Sequence, residues 1–262
     1  MKDQVQKKYE LLQNDTIQHN GRTLYRIKAL ISFGDIKAGN LGGYIQDECN
    51  LSHWGNAWVA DKARVYDNAR VFGIARVFGN ARVYGNARVF GIARVFGNAR
   101  VYGNAEVCDN AIVCGNALVY DNARVYGIAR VFGNARVFGN ARVFGIARVF
   151  GNAIVYDNAE VYGNARVCDN ARVFGIALVR RSDFICKNAF ISKESDVFSA
   201  SYVGRENGVL TVYKTENELY ATRGCLVGTV EEFLQKSAEV HNEKTHREYQ
   251  LLMEVARSRI LG

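Results

Sequence analysis

Four histidines, six cysteines and a surplus of arginines are the side chains with which this 262-residue chain could do chemistry. The histidines are His19, His53, His241 and His246. Acyl transfer and proton abstraction commonly use a histidine base, and a zinc centre needs about three ligands converging on one ion. His241 and His246 stand beside Glu243 and Glu248, a grouping that reads as a solvated polar turn near a helix boundary rather than a metal pair. His53 reads as a structural residue ahead of the repeat described next, with a lone general base as the alternative. The glycine-rich run Gly34-Asp-Ile-Lys-Ala-Gly-Asn-Leu-Gly-Gly43 lacks the Gly-Lys-Ser/Thr ending and following helix of a phosphate-cradling loop, so it reads as a turn. The expectation is therefore no catalytic residue, no metal site and no cofactor.

The elements that position everything else come from a strict repeat. Its unit is Ala-Arg-Val-(Phe/Tyr)-Gly-Asn, and every sixth residue from Val59 through Val203 is Val or Ile, giving 25 units without an insertion. Ala and Val two residues apart face one side of a strand, while Arg and the aromatic face the other. Gly or Asp followed by Asn suits a sharp corner. A second period of 18 appears where Ile replaces the corner Asn at Ile74, Ile92, Ile128 and Ile146, and where Tyr66, Tyr84, Tyr102 and Tyr120 recur. Three strands per coil thus give about eight triangular coils stacked in parallel. Residues 74–98 nearly repeat at 128–152.

Arg precedes the anchor in 14 of the 25 units and points outward. Three columns result. One holds Arg64, Arg82, Arg100, Arg136 and Arg172; the next Arg70, Arg88, Arg124 and Arg142; the third Arg76, Arg94, Arg130, Arg148 and Arg166. Aromatics occupy the next outward position, among them Phe78, Phe96, Phe132 and Phe150, and Tyr84, Tyr102 and Tyr120. A structural reading has Arg stems shielding the pleat and stacking on the rings, with Glu106, Glu160, Ile112, Leu118 and Ile154 relieving like-charge repulsion. A functional reading makes this an Arg-and-aromatic wall for a polyanion or an acidic protein. Corner Asp67, Asp109, Asp121, Asp157 and Asp169 dilute the field and weaken the case for plain DNA binding. Cys168 and Cys186, 18 apart, fall side by side on one outer face at roughly 4.8 Å. They are expected as free thiols, although within disulfide reach. Cys108 and Cys114 fall on different faces.

The Ala-x-Val-x-Gly-Asn units over residues 57–203 resemble the hexapeptide-repeat superfamily. That resemblance implies a left-handed parallel β-helix, and it brings precedents: many members are acyltransferases and one is a zinc-dependent carbonic anhydrase. It implies a histidine base at a coil edge or protruding loop, whereas no histidine and no insertion lies within the 25 units. The flanks, Asp35–Gly43 with Asn56–Val59 and Gly224–Phe233, resemble uncharacterised hexapeptide-repeat proteins of bacteria and phages.

The flanks read as caps: residues 1–50 as a hairpin around Asn20-Gly21 plus the glycine-rich turn, and 204–262 as a hairpin and two helices. Thr229-Val-Glu-Glu232 is a capping box, and a second helix should run from about Lys244 to Ile260. The solenoid is expected over 51–203. No Pro, a net charge of +8, unpatterned cysteines, no long apolar run and a start (Met1–Glu10) without a signal-like stretch fit a cytoplasmic protein away from membranes. The expected function is non-catalytic docking on a protein or nucleoprotein complex, in one version as a phage inhibitor of a host defence complex that handles nucleic acid. Alternatives are an acyltransferase acting at a subunit boundary and a structural virion component. Nucleic acid as partner, and dimer or trimer formation, stay open.

Overall fold

The computed structural model describes residues 6–262. The reading of residues 1–5 as part of a start without a leader lies outside the described residues. The chain divides into two compact units, Met1–Asn140 and Ala141–Gly262.

In the first unit Tyr9–His19 and Arg22–Ala29 pair antiparallel around Asn20 and Gly21, whose φ values of 48° and 72° meet the demand of a tight hairpin. The glycine-rich stretch holds more than a turn. Leu41–Ile45 is a strand that pairs antiparallel with the hairpin and parallel with Arg64–Val65. Gly43 is required there, because a Cβ would lie 2.7 Å from the Ala63 carbonyl oxygen and 2.9 Å from the Val59 side chain. The solenoid therefore begins at Leu41, ahead of the expected residue 51. Leu51 bridges Val71, so Ile45, Leu51 and Val59 form a first coil that carries two extra residues around His53 and Trp54.

Two-residue strands follow at every sixth position from Trp58–Val59 to Arg136–Val137, and within the unit strands 18 residues apart pair in parallel, as Arg76–Val77 does with Arg94–Val95. Three ladders result, as the 18-residue period requires, and strands at this spacing give the chain about eight turns in all. The inward Ala and Val residues are fully buried, Ala93, Val95, Ala129 and Val131 at 0% exposure. Corners take positive φ at Gly or Asp, and where Asp stands its carboxylate accepts the backbone N–H one coil on, as Asp61 does from Gly79 at 2.9 Å. Two corners carry amide ladders: Asn68, Asn86, Asn104 and Asn122 at 3.0–3.1 Å, and Asn80, Asn98 and Asn116 at 3.0–3.3 Å.

The open first coil is plugged by Lys8. Its ammonium, 1% exposed, donates to the carbonyls of Ala57 at 2.8 Å and Gly55 at 3.3 Å and sits 4.8 Å from the Phe33 ring centre. These carbonyls face the end where no strand precedes them, so the plug satisfies acceptors that would otherwise be orphaned.

In the second unit the two-residue strands continue from Arg142–Val143 to Phe190–Ile191 and stop. The last two anchors, Val197 and Val203, leave the solenoid, which corrects the expected boundary at 203. Ser192–Asp196 replaces the Gly-Asn-Ala corner. The Asp196 carboxylate folds back to accept both the N–H and the hydroxyl of Ser192 and the N–H of Lys193, setting a short 3-10 turn. Val197–Val203 then joins an antiparallel sheet with Gly208–Lys214, Leu219–Arg223 and Leu226–Thr229. This sheet covers the last strands through Thr211 and Thr222, which hydrogen-bond the N–H and the carbonyl of Phe184. Helix α1 (Val230–Val240) opens on the expected capping box, with Thr229 and Glu232 bonded reciprocally at 2.9 and 3.1 Å. Helix α2 (Glu243–Leu261) packs Tyr249, Met253, Ala256 and Ile260 onto the same core as Leu210, Val212 and Phe233. Among the described residues no helix is long and apolar enough to cross a membrane.

Candidate docking face

The arginines do point outward, but the three ladders handle their charge differently. In the ladder of Arg70, Arg88 and Arg124, Glu106 takes Arg88 on one oxygen and Arg124 on the other, both at 3.1 Å; in the second unit Glu160 takes Arg142 at 3.3 Å. Phe72 and Phe90 stack 4.8 Å apart beside them, with Arg88 over both rings. Glu106 and Glu160 thus offset part of this ladder's charge, while Arg70 has no carboxylate partner among the described residues.

The ladder of Arg64, Arg82, Arg100 and Arg136 runs beside a tyrosine stack, Tyr66, Tyr84, Tyr102 and Tyr120, with rings 4.8–5.0 Å apart. Arg64 reaches His19 Nδ1 at 3.0 Å and Arg136 donates to the Tyr120 hydroxyl at 2.8 Å. Burial pushes the Tyr66, Tyr84 and Tyr102 hydroxyls above their ordinary pKa, so they stay neutral partners for the cations. Arg82 and Arg100 have no carboxylate partner among the described residues, but an asparagine ladder borders them.

The third ladder differs in its edge. Arg76 pairs with Asp35, while Arg94 and Arg130 have no carboxylate partner among the described residues. Burial first, and the Arg94 charge next, hold Arg76 below its ordinary pKa, which registers the repulsion between neighbours. Phe78 and Phe96 stack at 4.7 Å on the far side. The corners leading into the Arg76, Arg94 and Arg130 strands are Ile74, Ile92 and Ile128, each about half exposed at 47–53%. A shallow groove of about 470 Å³ runs here, lined by Trp58, Ile74, Arg76, Phe78, Ile92 and Arg94. In the second unit Ile146, Arg148 and Phe150 hold the same register, and Arg148 faces Arg166 without an acidic partner among the described residues. The arginines and aromatics of the wall therefore do not make one site. They lie on three faces, and on the third face Arg94 and Arg130 each stand without a carboxylate partner among the described residues next to a half-exposed isoleucine corner. The Ile positions were visible in the sequence only as register marks.

The histidines are occupied structurally. His53 accepts the Lys8 N–H on Nδ1 at 3.1 Å, stacks on Tyr9 at 4.3 Å and turns Nε2 toward Glu48 at 3.6 Å. His19 lies edge-on to Tyr66, and burial followed by the nearby arginines lowers its pKa. His246 contacts Ser237 and Gln250, and His241 lies against Tyr249. One residue missed in the sequence is Trp54, 69% exposed in the two-residue insertion, at the mouth of a groove of about 1110 Å³ with Cys49, Arg70 and Arg88.

The cysteine reading needs correction. Cys108, Cys168 and Cys186 occupy outward register positions yet are 7%, 4% and 2% exposed, and the Tyr213 hydroxyl lies 3.6 Å from Cys186 Sγ. Cys168 and Cys186 are adjacent and unbonded, and with Asp169 they form the one three-residue cluster of metal-ligating types among the described residues. The hydrogen bond to Cys186, then burial, pushes the Cys168 thiol up. Asp169 is engaged at its corner with the Lys187 N–H at 3.3 Å.

The fold is that of a β-solenoid. Residues 75–91, 93–109 and 129–145 match the YdcK beta solenoid repeat, so the repeats are similar to that solenoid over a minority of the chain. No curated protein matches the chain.

Proposed function

We propose that the chain is a non-catalytic binding protein that docks an acidic protein surface on the Arg94–Arg130 face. The observation that carries this reading is the repeated pairing, at Arg94 and at Arg130 of one ladder, of an arginine without an acidic partner among the described residues and a half-exposed isoleucine at the corner leading into its strand. Arginine and aromatic residues are favoured at protein interfaces, and charge complementarity sets register and encounter rate. Burying the exposed half of each Ile adds about 1 kcal/mol of apolar driving force, which a nucleic-acid backbone does not use. The hydrogen bonds that hold His19, His53 and His246 in structural settings support the non-enzyme reading. Membership of the hexapeptide-repeat superfamily belongs to this proposal, supported by the six-residue period. Its narrowest form is an inhibitor, phage-borne, that occludes a host nucleoprotein complex.

Co-purification tests it. Arg94→Gln/Arg130→Gln combined with Ile92→Asn/Ile128→Asn restores the corner residue used elsewhere and should abolish capture of the partner from lysate, with nuclease making no difference. The matched pair Arg82→Gln/Arg100→Gln should retain capture. Retention by the first variant refutes the face, and nuclease-sensitive capture refutes the protein partner.

A further inference from the structure

A second feature lies in the C-terminal unit, where four consecutive positions abandon the repeat. From Val65 to Val179 each corner residue is Gly or Asp, and each residue two before an anchor is Ala. After Val179 the chain reads Arg180, Arg181, Ser182, Asp183. Arg181 occupies the corner at φ 56°, a left-handed conformation that strains an arginine and that glycine, used at most other corners, adopts freely. Asp183 replaces the inward Ala and is 4% exposed. It accepts the Arg180 N–H at 2.8 Å and bonds the Ser199 hydroxyl, and burial raises its pKa. Glu194 pairs with Arg180.

These departures converge on a cavity of about 600 Å³ whose walls include Arg180, Arg181, Asp183, Glu194, Ser199 and, from the last turn of α2, Arg259. A solenoid corner at Arg181 and a helix end at Arg259 thus deliver two guanidiniums to one recess. Neither has a carboxylate partner among the described residues, since Glu194 is held by Arg180 and Asp183 by backbone and Ser199. A position that accepts Gly without strain carries instead a strained cation beside a cavity of ligand size. Planar guanidiniums match phosphate oxygens bidentately, and the polar walls suit an anion better than an apolar ligand.

We propose that this recess binds a small phosphate ester, with Arg181 and Arg259 as the anion clamp and Arg180 held in place by Glu194. The site is separate from the docking face and does not depend on it.

Isothermal titration of the full chain with AMP, ribose 5-phosphate and inorganic phosphate tests the assignment. At least one ester should bind saturably below about 1 mM, and more tightly than inorganic phosphate. Arg259→Gln, at an exposed helix position, should fold and melt as wild type and lose about tenfold or more in affinity. Arg181→Gly should melt higher than wild type without ligand, as the strain is relieved, while losing affinity to a similar degree. Arg94→Gln/Arg130→Gln should bind as wild type. Absence of saturable binding by all three probes overturns the proposal. So does undiminished affinity in both recess variants, or inorganic phosphate binding as tightly as the esters.

Discussion

Lys8 gives the sharpest energetic test of how the solenoid end is closed. Burial first, then the Arg76 charge, lowers its pKa from 10.5 to about 8. Below pH 8 the ammonium is charged in both folded and unfolded chains, and the folded state carries the cost of burying it. Between about 8 and 10.5 the unfolded chain holds the proton and the folded chain has released it, so stability rises with pH through that window. The whole shift corresponds to about 3 kcal/mol, with roughly half gained by pH 9.5. Cysteines and tyrosines act in the opposite sense: burial raises Cys108 to about 11, and the unfolded thiol ionises first. A bare pH profile therefore mixes signs. Lys8→Met removes only the lysine contribution and keeps the apolar stem against Phe33. Urea denaturation of wild type and Lys8→Met from pH 7 to 10 should show wild type gaining on the variant by about 2 kcal/mol or more. A gap that stays constant, or moves the other way, would refute the buried-plug reasoning.

Three further outcomes follow from the same geometry. Val131→Asp, which places a carboxylate in an interior of 0% exposure, should cost more than about 4 kcal/mol and abolish the cooperative melt; native circular dichroism with an unchanged melt would overturn the register. With a thiol-specific chromogenic reagent, exposed Cys49 and Cys225 should react at once, while Cys108, Cys168 and Cys186 should react only on unfolding. No acetyl-CoA turnover should be measurable, and activity that vanishes in His53→Ala would refute the assignment of that histidine as structural.

Much of the fold was legible because the repeat states its own register. Anchors every sixth residue and marks every eighteenth specify which strands pair, and the Thr229 capping box and the Asn20-Gly21 turn are local signals that need no tertiary context. The errors have equally local causes. Six is a multiple of two, so the alternation of the ordinary strand Val197–Val203 imitates the repeat; only the loss of the Gly-Asn corner marks the change. The first coil escaped because Leu51 and Val59 are eight apart. The site was less legible than the fold. Arg76 meets Asp35 from 41 residues away, and whether a guanidinium is free depends on such distant partners, which periodicity does not reveal.

The choice between shielding and recognition turns on one corner. Where Asn stands, side-chain amides link coil to coil at 3.0–3.3 Å and present polar atoms to water. Where Ile stands, each coil forgoes such a bond, worth up to roughly 1 kcal/mol, and exposes about half an apolar side chain instead. Asn110, with Ile92 and Ile128 one coil to either side, has no amide neighbour in its own column. A purely protective wall has no use for that exchange, since Arg stems cover the pleat equally well beside an Asn ladder, as at Arg82 and Arg100. An exposed Ile edge beside arginines without acidic partners among the described residues would recover its cost under a covering partner, which is what the proposed docking at Arg94 and Arg130 supplies.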